Sequence, residues 1–235
     1  MHDLLNFTSG LKEVPFCLGS LSFGTTSFDS CFEEIAPKNE NAAKSGSEFY
    51  YGPAHLQVAG MMAIKASKKS SWQEVFEVFK NKTALFTTST YDLPSQNNPR
   101  LAGGMHYSAK EYKEFLDALQ SGSIVSKEMF SLMTQDQTST AIMVESPAKD
   151  GINEDWHYGY GLWIECHSSS FTCGNSVSRI SSPGAFGAYP FIDFKNNYHG
   201  ILARKGGFGT FDKGYDLFIN VQSKLVTWAN FECKK

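Results

Sequence analysis

Two serines of this chain stand at the spacing that catalysis by a serine–lysine pair requires. The string Ser-x-x-Lys occurs at Ser9–Lys12 and again at Ser146–Lys149. A lysine can activate such a serine only when both side chains lie on one helical turn. Ser9 is followed by glycine, and Ser146 is followed by proline and then by a glycine turn. We therefore expect neither string to form a nucleophile–base pair.

Two other segments could bring polar groups to a ligand. Glu48–Pro53 leads into a helix, and a tyrosine at such a junction, Tyr51, can shuttle protons if cations lower its pKa. The alternative is a packing tyrosine with a solvated hydroxyl. Arg179–Gly187 leads into a strand, where glycine lets the backbone approach a ligand closely. The alternative here is an ordinary tight turn.

Other common catalytic signatures are missing from the sequence. It contains no GxSxG elbow, no HExxH motif and no Walker loop, and its six histidines follow no ligand spacing. The Gly206–Gly209 string lacks dinucleotide-binding spacing and indicates a turn before the last helix. We therefore expect neither a metal nor a cofactor.

Five cysteines bear on the redox environment. Cys17 and Cys31 form one locally spaced pair and Cys166 and Cys173 another, which leaves Cys233 as the odd one. None lies in a CxxC motif, so a structural zinc site is not expected. Each pair could close a short disulfide loop, and the alternative is five reduced, mostly buried thiols. The pairs favour a secreted, periplasmic or organelle-lumen location.

The composition excludes several classes of protein. The 235 residues carry 24 acidic and 21 basic side chains, and a net charge of −3 gives no electrostatic footprint for nucleic acid. Aromatic residues make up 14% of the chain and charged residues 19%, unlike disordered sequences. No apolar run is long enough to span a membrane, and the first residues show no signal peptide.

Hydrophobic spacing predicts helices in the first two thirds of the chain. Ser71–Glu74 and Ser108–Glu111 have the pattern of capping boxes, and apolar residues at helical spacing follow each of them. The second of these helices is expected to end at Gly122. Two more helices are predicted, over residues 55–66 and 28–35.

The pattern changes near residue 148, after a turn-rich junction at Pro147–Gly151. Aromatic and branched residues between glycine and asparagine turns then predict strands, which cover residues 158–165, 188–192 and 199–204. A terminal helix is expected over 215–231, with Leu217, Val221, Leu225 and Trp228 roughly on one face.

These elements predict an α+β protein. A helical lobe covers residues 1–148, and an antiparallel sheet with a C-terminal helix covers 149–235. The two lobes would form one domain.

Six segments, in the same order along the chain, resemble motifs of the serine β-lactamase and penicillin-binding-protein superfamily, in its class C and esterase-like branch. The segments are His2–Leu11, Phe49–Gly60, Lys68–Glu74, Pro99–Ser108, Tyr158–Leu162 and Ser182–Asp193. The resemblance implies a β-lactamase/transpeptidase-like fold and an acyl-enzyme mechanism on ester, amide or lactam carbonyls.

Carried over residue by residue, the resemblance gives Tyr51 the role of the catalytic, proton-shuttling tyrosine. Pro53 stands where the family has a substrate-contacting asparagine. Ser182 stands where it has a lysine or histidine, and Ser182 and Gly184 mark the motif that lines the acyl pocket. Tyr51 and Ser182 are therefore expected to converge on one cleft, within about 15 Å, since both would act on one acyl centre.

In the family, the SxxK helix precedes the segment that His2–Leu11 resembles. We therefore expect the N-terminal part of the fold, with its nucleophile and base, to be absent from this chain, which would be inactive alone. The alternative is a non-catalytic binding or assembly module on the same scaffold. Partners could be an N-terminal complementing segment, another chain or a second copy, because a truncated sheet exposes an edge.

Overall fold

The computed structural model describes residues 1–19, 26–165 and 177–232. Contacts between residues divide the chain into two units. The first comprises Met1–Glu111 and Thr140–Ser146, and the second comprises Tyr112–Ser139 and Pro147–Lys235. Helices and an antiparallel sheet together confirm the predicted α+β class.

The first unit is mainly helical. Its helical segments are α1 (His2–Leu5), a 3-10 turn (Phe16–Leu18), α2 (Phe28–Lys38), α3 (Pro53–Ser67) and α4 (Trp72–Thr83). Its strands are β1 (Glu48–Tyr50), β2 (Thr90–Tyr91), β3 (Met105–His106) and β4 (Ile142–Glu145). The strand pairs β1–β4 and β2–β3 are parallel and antiparallel, respectively.

Local signals explain where these helices begin. The Ser71 hydroxyl accepts a hydrogen bond from the backbone N–H of Glu74, and the Glu74 carboxylate accepts from the N–H of Ser70 at 3.0 Å. Such reciprocal capping satisfies backbone donors that the first helical turn leaves open. Pro53 occupies the first turn of α3, where its missing N–H costs nothing. Both helices lie where the sequence predicted them.

A disulfide joins Cys17 to Cys31, 14 residues further along the chain. Both cysteines are buried, in a cluster that includes Ile35 of α2 and Ala54 of α3. Of the two alternatives for this cysteine pair, a disulfide loop or two reduced thiols, the structure has the disulfide. Cys166, Cys173 and Cys233 lie outside the described residues.

The second unit contains the larger sheet. Its helices are α5 (Ala109–Ser121, which begins in the first unit), α6 (Lys127–Met133), α7 (Pro147–Ile152) and α8 (Phe211–Glu232). Its strands are β5 (His157–Tyr158), β6 (Trp163–Glu165), β7 (Arg179–Ser181), β8 (Tyr189–Asp193) and β9 (Tyr198–Leu202). The five strands follow one another in sequence order, and every pair is antiparallel.

The two faces of this sheet carry different side chains, because successive residues of a strand point to opposite faces. Ile164, Ile180 and Ile192 stand opposite one another on β6, β7 and β8, and they pack in one buried cluster with Leu116 and Leu119 of α5. The capping box of α5 and its stop at Gly122 are confirmed. The opposite face of the sheet meets α8.

Three sequence predictions were wrong in detail. Residues 158–165 form the hairpin β5–β6 rather than one strand, because Gly161 turns the chain with a positive φ of 72°. The expected turn at Pro147–Gly151 is helix α7. On α8, Phe218 and Ala229 are buried, whereas Leu217 and Trp228 of the predicted apolar face are 44% and 60% exposed.

Within the described ranges, none of the helices has the length and apolarity that crossing a bilayer demands.

Candidate active site

The residues before Tyr51 are organised by a tight turn near the start of the chain. The Asn6 side-chain oxygen accepts hydrogen bonds from the N–H and the hydroxyl of Thr8, at 3.1 and 2.7 Å. Between them, Phe7 has a φ of 61°, which is uncommon for a residue other than glycine. The Phe7 carbonyl accepts from the N–H of Tyr50 at 3.0 Å. The Asn6–Thr8 turn therefore holds β1 directly.

Tyr51 lies between β1 and α3 and is half-buried. Its N–H donates to the carbonyl of Glu145 on β4 at 3.1 Å. Its ring meets the ring of Phe7 edge to face, with 5.0 Å between centroids and 81° between planes. The backbone hydrogen bond to β4 and the ring contact with Phe7 thus fix the position of Tyr51.

His55 lies in the first turn of α3 and packs against the ring of Phe7. It is fully buried, and its ring centroid lies 5.2 Å from that of Phe7. Its Nδ1 lies 2.8 Å from the Ser9 hydroxyl. Burial lowers the pKa of His55 to about 4, and backbone groups of Tyr50 and Leu11 offset this only in part. At neutral pH the imidazole is therefore uncharged, and its Nδ1 shares a hydrogen bond with the Ser9 hydroxyl.

This geometry answers whether Ser9 and Lys12 form a nucleophile–base pair. The two residues lie in a loop, not on a helix, and Lys12 forms an ion pair with Glu48. His55 is a weak base at a pKa of about 4, so the partner that Ser9 does have activates it poorly. Ser146 of the second string is only 2% exposed. The expectation that neither string is a catalytic pair agrees with these contacts.

The second predicted segment, around Ser182 and Gly184, belongs to the other unit and forms the turn between β7 and β8. The N–H of Ser182 donates to the carbonyl of Pro190 at 3.1 Å, and the N–H of Gly184 donates to Ala188 at 2.8 Å. Both N–H groups are therefore engaged within the hairpin. The Arg204 side chain also donates to the Phe186 carbonyl at the tip of the turn, at 3.1 Å.

The four predicted site residues thus fall into two groups. Tyr51 and Pro53 lie together before α3, and Ser182 and Gly184 lie together after β7. Their convergence on one cleft stays a prediction. Among the described residues, no cluster of His, Cys, Asp and Glu could hold a metal ion.

The structure adds His55 and Phe7 to the surroundings of Tyr51. Sequence reasoning missed both, because one histidine between alanine and leucine has no ligand spacing and one phenylalanine before threonine has no turn signature. Their role depends on contacts between segments that are far apart in the sequence, such as the contact of Ser9 with His55, 46 residues later.

No family model matches the sequence, and no curated protein matches it. Solved structures do. A protein assigned as a β-lactamase from Bacteroides dorei DSM 17855 is 26% identical, with a TM-score of 0.65 over 88% of this chain. A penicillin-binding protein from Bacillus halodurans is 15% identical, with a TM-score of 0.65 over 94%. EstCE1, a hydrolase with promiscuous acyltransferase activity, is 18% identical, with a TM-score of 0.61 over 82%.

This chain has the fold of the serine β-lactamase and penicillin-binding-protein-like superfamily. The β-lactamase/transpeptidase-like fold expected from the six sequence segments is therefore confirmed. The chain spans 64% of the Bacteroides dorei structure, 71% of the Bacillus halodurans structure and 63% of EstCE1.

Proposed function

We propose that this chain is part of a β-lactamase-related serine hydrolase that acts on ester, amide or lactam carbonyls. Tyr51 would transfer protons at the reacting centre, and the Ser182–Gly184 turn would line the acyl pocket with Pro53. The observation that carries the proposal is the placement of a half-buried, aromatic-packed Tyr51 directly before α3 in a β-lactamase-like fold.

We further propose that the chain has no acyl-transfer activity alone. Ser9 is bound to a weakly basic histidine, Lys12 is neutralised by Glu48, and Ser146 is buried. The nucleophile and its lysine base would then come from an N-terminal segment or from another chain. Without a nucleophile, Tyr51 has no acyl-enzyme to serve.

Intact-protein mass spectrometry tests the proposal on protein purified from its native source. The material is exposed to a fluorophosphonate, which phosphonylates active-site serines, and separately to a penicillin, which acylates them. Peptide mapping then locates any adduct. We expect none within residues 1–235 and one either on a segment that precedes them or on a second polypeptide that copurifies with them. An adduct within residues 1–235 would contradict the proposed inactivity and reveal a further nucleophile.

A second candidate is a non-catalytic binding or assembly module. It is favoured by Pro53 and Ser182, which replace a side-chain amide and a cation in the motifs they resemble. The same experiment separates the two candidates. If no polypeptide in the native material takes up either probe, the hydrolase proposal fails and the scaffold role stands.

A further inference from the structure

The Ser9–His55 contact links the two segments that enclose Tyr51. Ser9 follows the Asn6–Thr8 turn, whose Phe7 ring packs edge-on against Tyr51. His55 belongs to the first turn of α3, which begins two residues after Tyr51. The 2.8 Å hydrogen bond between the Ser9 hydroxyl and Nδ1 therefore joins the two segments that lie on either side of the tyrosine in space.

Both ends of this link are well fixed. The Asn6–Thr8 turn is buried and held by its own side-chain hydrogen bonds, and Phe7 is 2% exposed. His55 is fully buried, and its ring packs on Phe7 from the side of α3. A hydrogen bond between two such fixed segments costs little additional ordering entropy. Removing the serine hydroxyl takes this partner from a buried imidazole nitrogen, which is the costly way to lose a hydrogen bond.

We infer that Ser9 and His55 are positioning residues for Tyr51, and that they act through the ring of Phe7. A neutral histidine suits this role, since one ring nitrogen forms a hydrogen bond with the serine hydroxyl and the ring packs on Phe7. Leucine at this position would fill the space without forming that hydrogen bond. This assignment rests on the proposed function of Tyr51, but the geometry that carries it does not depend on activity.

The test follows the environment of the Tyr51 ring by NMR of the full chain with ring-labelled tyrosine. The chain has 10 tyrosines, and Tyr51→Phe identifies the resonance. We expect Ser9→Ala and His55→Leu to shift the Tyr51 resonance. The ratio of the packed ring position to other ring positions should fall about fivefold, as for one lost hydrogen bond. His55→Asn can still form a hydrogen bond with Ser9 but lacks the ring, so it should shift the Tyr51 resonance less than His55→Leu.

Ser67→Ala is the matched control. Ser67 lies on the same helix, and its exposed hydroxyl donates to the Ala63 carbonyl at 2.7 Å. Ser67→Ala removes a hydroxyl oxygen, as Ser9→Ala does, and should leave the Tyr51 resonance unchanged. An unmoved Tyr51 resonance in folded Ser9→Ala would overturn the inference, and so would an equal shift in Ser67→Ala. If His55→Leu does not fold, Ser9→Ala alone decides.

The two proposals fail in different experiments. The NMR result reports the position of Tyr51 whether or not any chain is acylated. If no adduct forms in the native preparation, the hydrolase proposal is contradicted and the positioning inference is not. If the Tyr51 resonance does not move in Ser9→Ala, the positioning inference is contradicted and the hydrolase proposal is not.

Discussion

The surroundings of Tyr51 and the side of the large sheet that faces α8 both bury polar side chains, but they differ in charge. Around Tyr51 the buried polar side chains are neutral: Asn6 and Thr8 bond within one turn, and Ser9 bonds His55 of α3. On the sheet, Glu165 and Arg179 form an ion pair, and both are 1% exposed. Tyr189 donates a further hydrogen bond to Glu165.

The register of the sheet explains this second arrangement. Glu165, Arg179, Asp193 and Tyr198 stand opposite one another on four successive strands. The Arg179 guanidinium also lies 4.5 Å from the ring centroid of Phe218 on α8. Burial alone would lower the pKa of Arg179, but the charge and hydrogen bond of Glu165, together with Tyr189 and Asp193, outweigh burial and raise the pKa. The large sheet therefore buries a charged pair, whereas the polar side chains buried beside Tyr51 are neutral.

The largest effect is expected when this ion pair is broken. Arg179→Met leaves the Glu165 carboxylate buried without its cation, and we expect the free energy of unfolding to fall by about 3–5 kcal/mol. Urea unfolding followed by circular dichroism measures the loss. The double variant Arg179→Met/Glu165→Met is the control, because removing both charges should recover most of the stability. If the single variant lost less than about 1 kcal/mol, the buried ion pair of the sheet would contribute no more than an exposed one. The contrast with the neutral surroundings of Tyr51 would then have no energetic consequence.

The disulfide should have the next largest effect. Reducing Cys17–Cys31 releases a loop of 14 residues, and we expect a loss of about 3 kcal/mol because the unfolded chain gains conformational freedom. Unfolding in urea with and without a reductant measures it. Cys17→Ala/Cys31→Ala provides the comparison, since a reductant should then change nothing. Equal stability of the oxidised and reduced wild-type protein would show that the crosslink does not stabilise the first unit.

Sequence reasoning was more accurate for interactions between residues close together in the sequence than for interactions between distant residues. The capping boxes at Ser71 and Ser108 depend on residues three apart, and both helices begin where they were predicted. The parallel pairing of β1 with β4 joins residues such as Glu48 and Ile142, which no local pattern connects. The sequence indicated the superfamily through short motifs, but not the pairings that hold its parts.

Buried charge was also beyond sequence reasoning. A glutamate or arginine in a strand ordinarily points to solvent, and nothing local marks Glu165 and Arg179 as partners. The strand register alone makes them neighbours. The same holds for α8, where the apolar residues predicted on one face are split between buried and exposed positions. Phe218 is the buried anchor, and it lies one residue from Leu217, which is 44% exposed.

Glu111 provides a smaller effect that depends on pH. Burial would raise the pKa of its carboxyl, but hydrogen bonds from the Thr88 N–H at 2.7 Å and the Ser89 hydroxyl at 2.9 Å lower it to about 2. Because the folded pKa lies below the unfolded value near 4.5, the carboxylate stabilises the fold above about pH 4.5. This contribution is lost as the pH falls towards 2.

We therefore expect Glu111→Gln to cost on the order of 2 kcal/mol at pH 7 and progressively less in acid. Urea unfolding of both proteins between pH 7 and pH 3 measures the difference. Glu34→Gln on α2 is the control, because the Glu34 side chain is exposed, and its difference should stay small throughout. A difference for Glu111→Gln that does not shrink in acid would mean that lost packing, rather than lost charge, causes it.

The smallest effects come from two helix caps that are alike in chemistry and differ in burial. Ser71 and Ser126 each accept a hydrogen bond from the N–H three residues on, at 3.3 and 3.1 Å. The helix α4 buries Phe76, whereas no residue of α6 is buried. Unfolding the start of α4 therefore disturbs the core of the first unit, and unfolding the start of α6 exposes little.

We expect Ser71→Ala to lower the global free energy of unfolding by about 1 kcal/mol. Ser126→Ala should instead speed amide hydrogen exchange in α6 and leave the global value almost unchanged, since α6 can open without the rest. Hydrogen exchange measured beside urea unfolding separates the two outcomes. If Ser126→Ala lowered global stability as much as Ser71→Ala, α6 would belong to the cooperative core, and exposure alone would not identify the segments that open first.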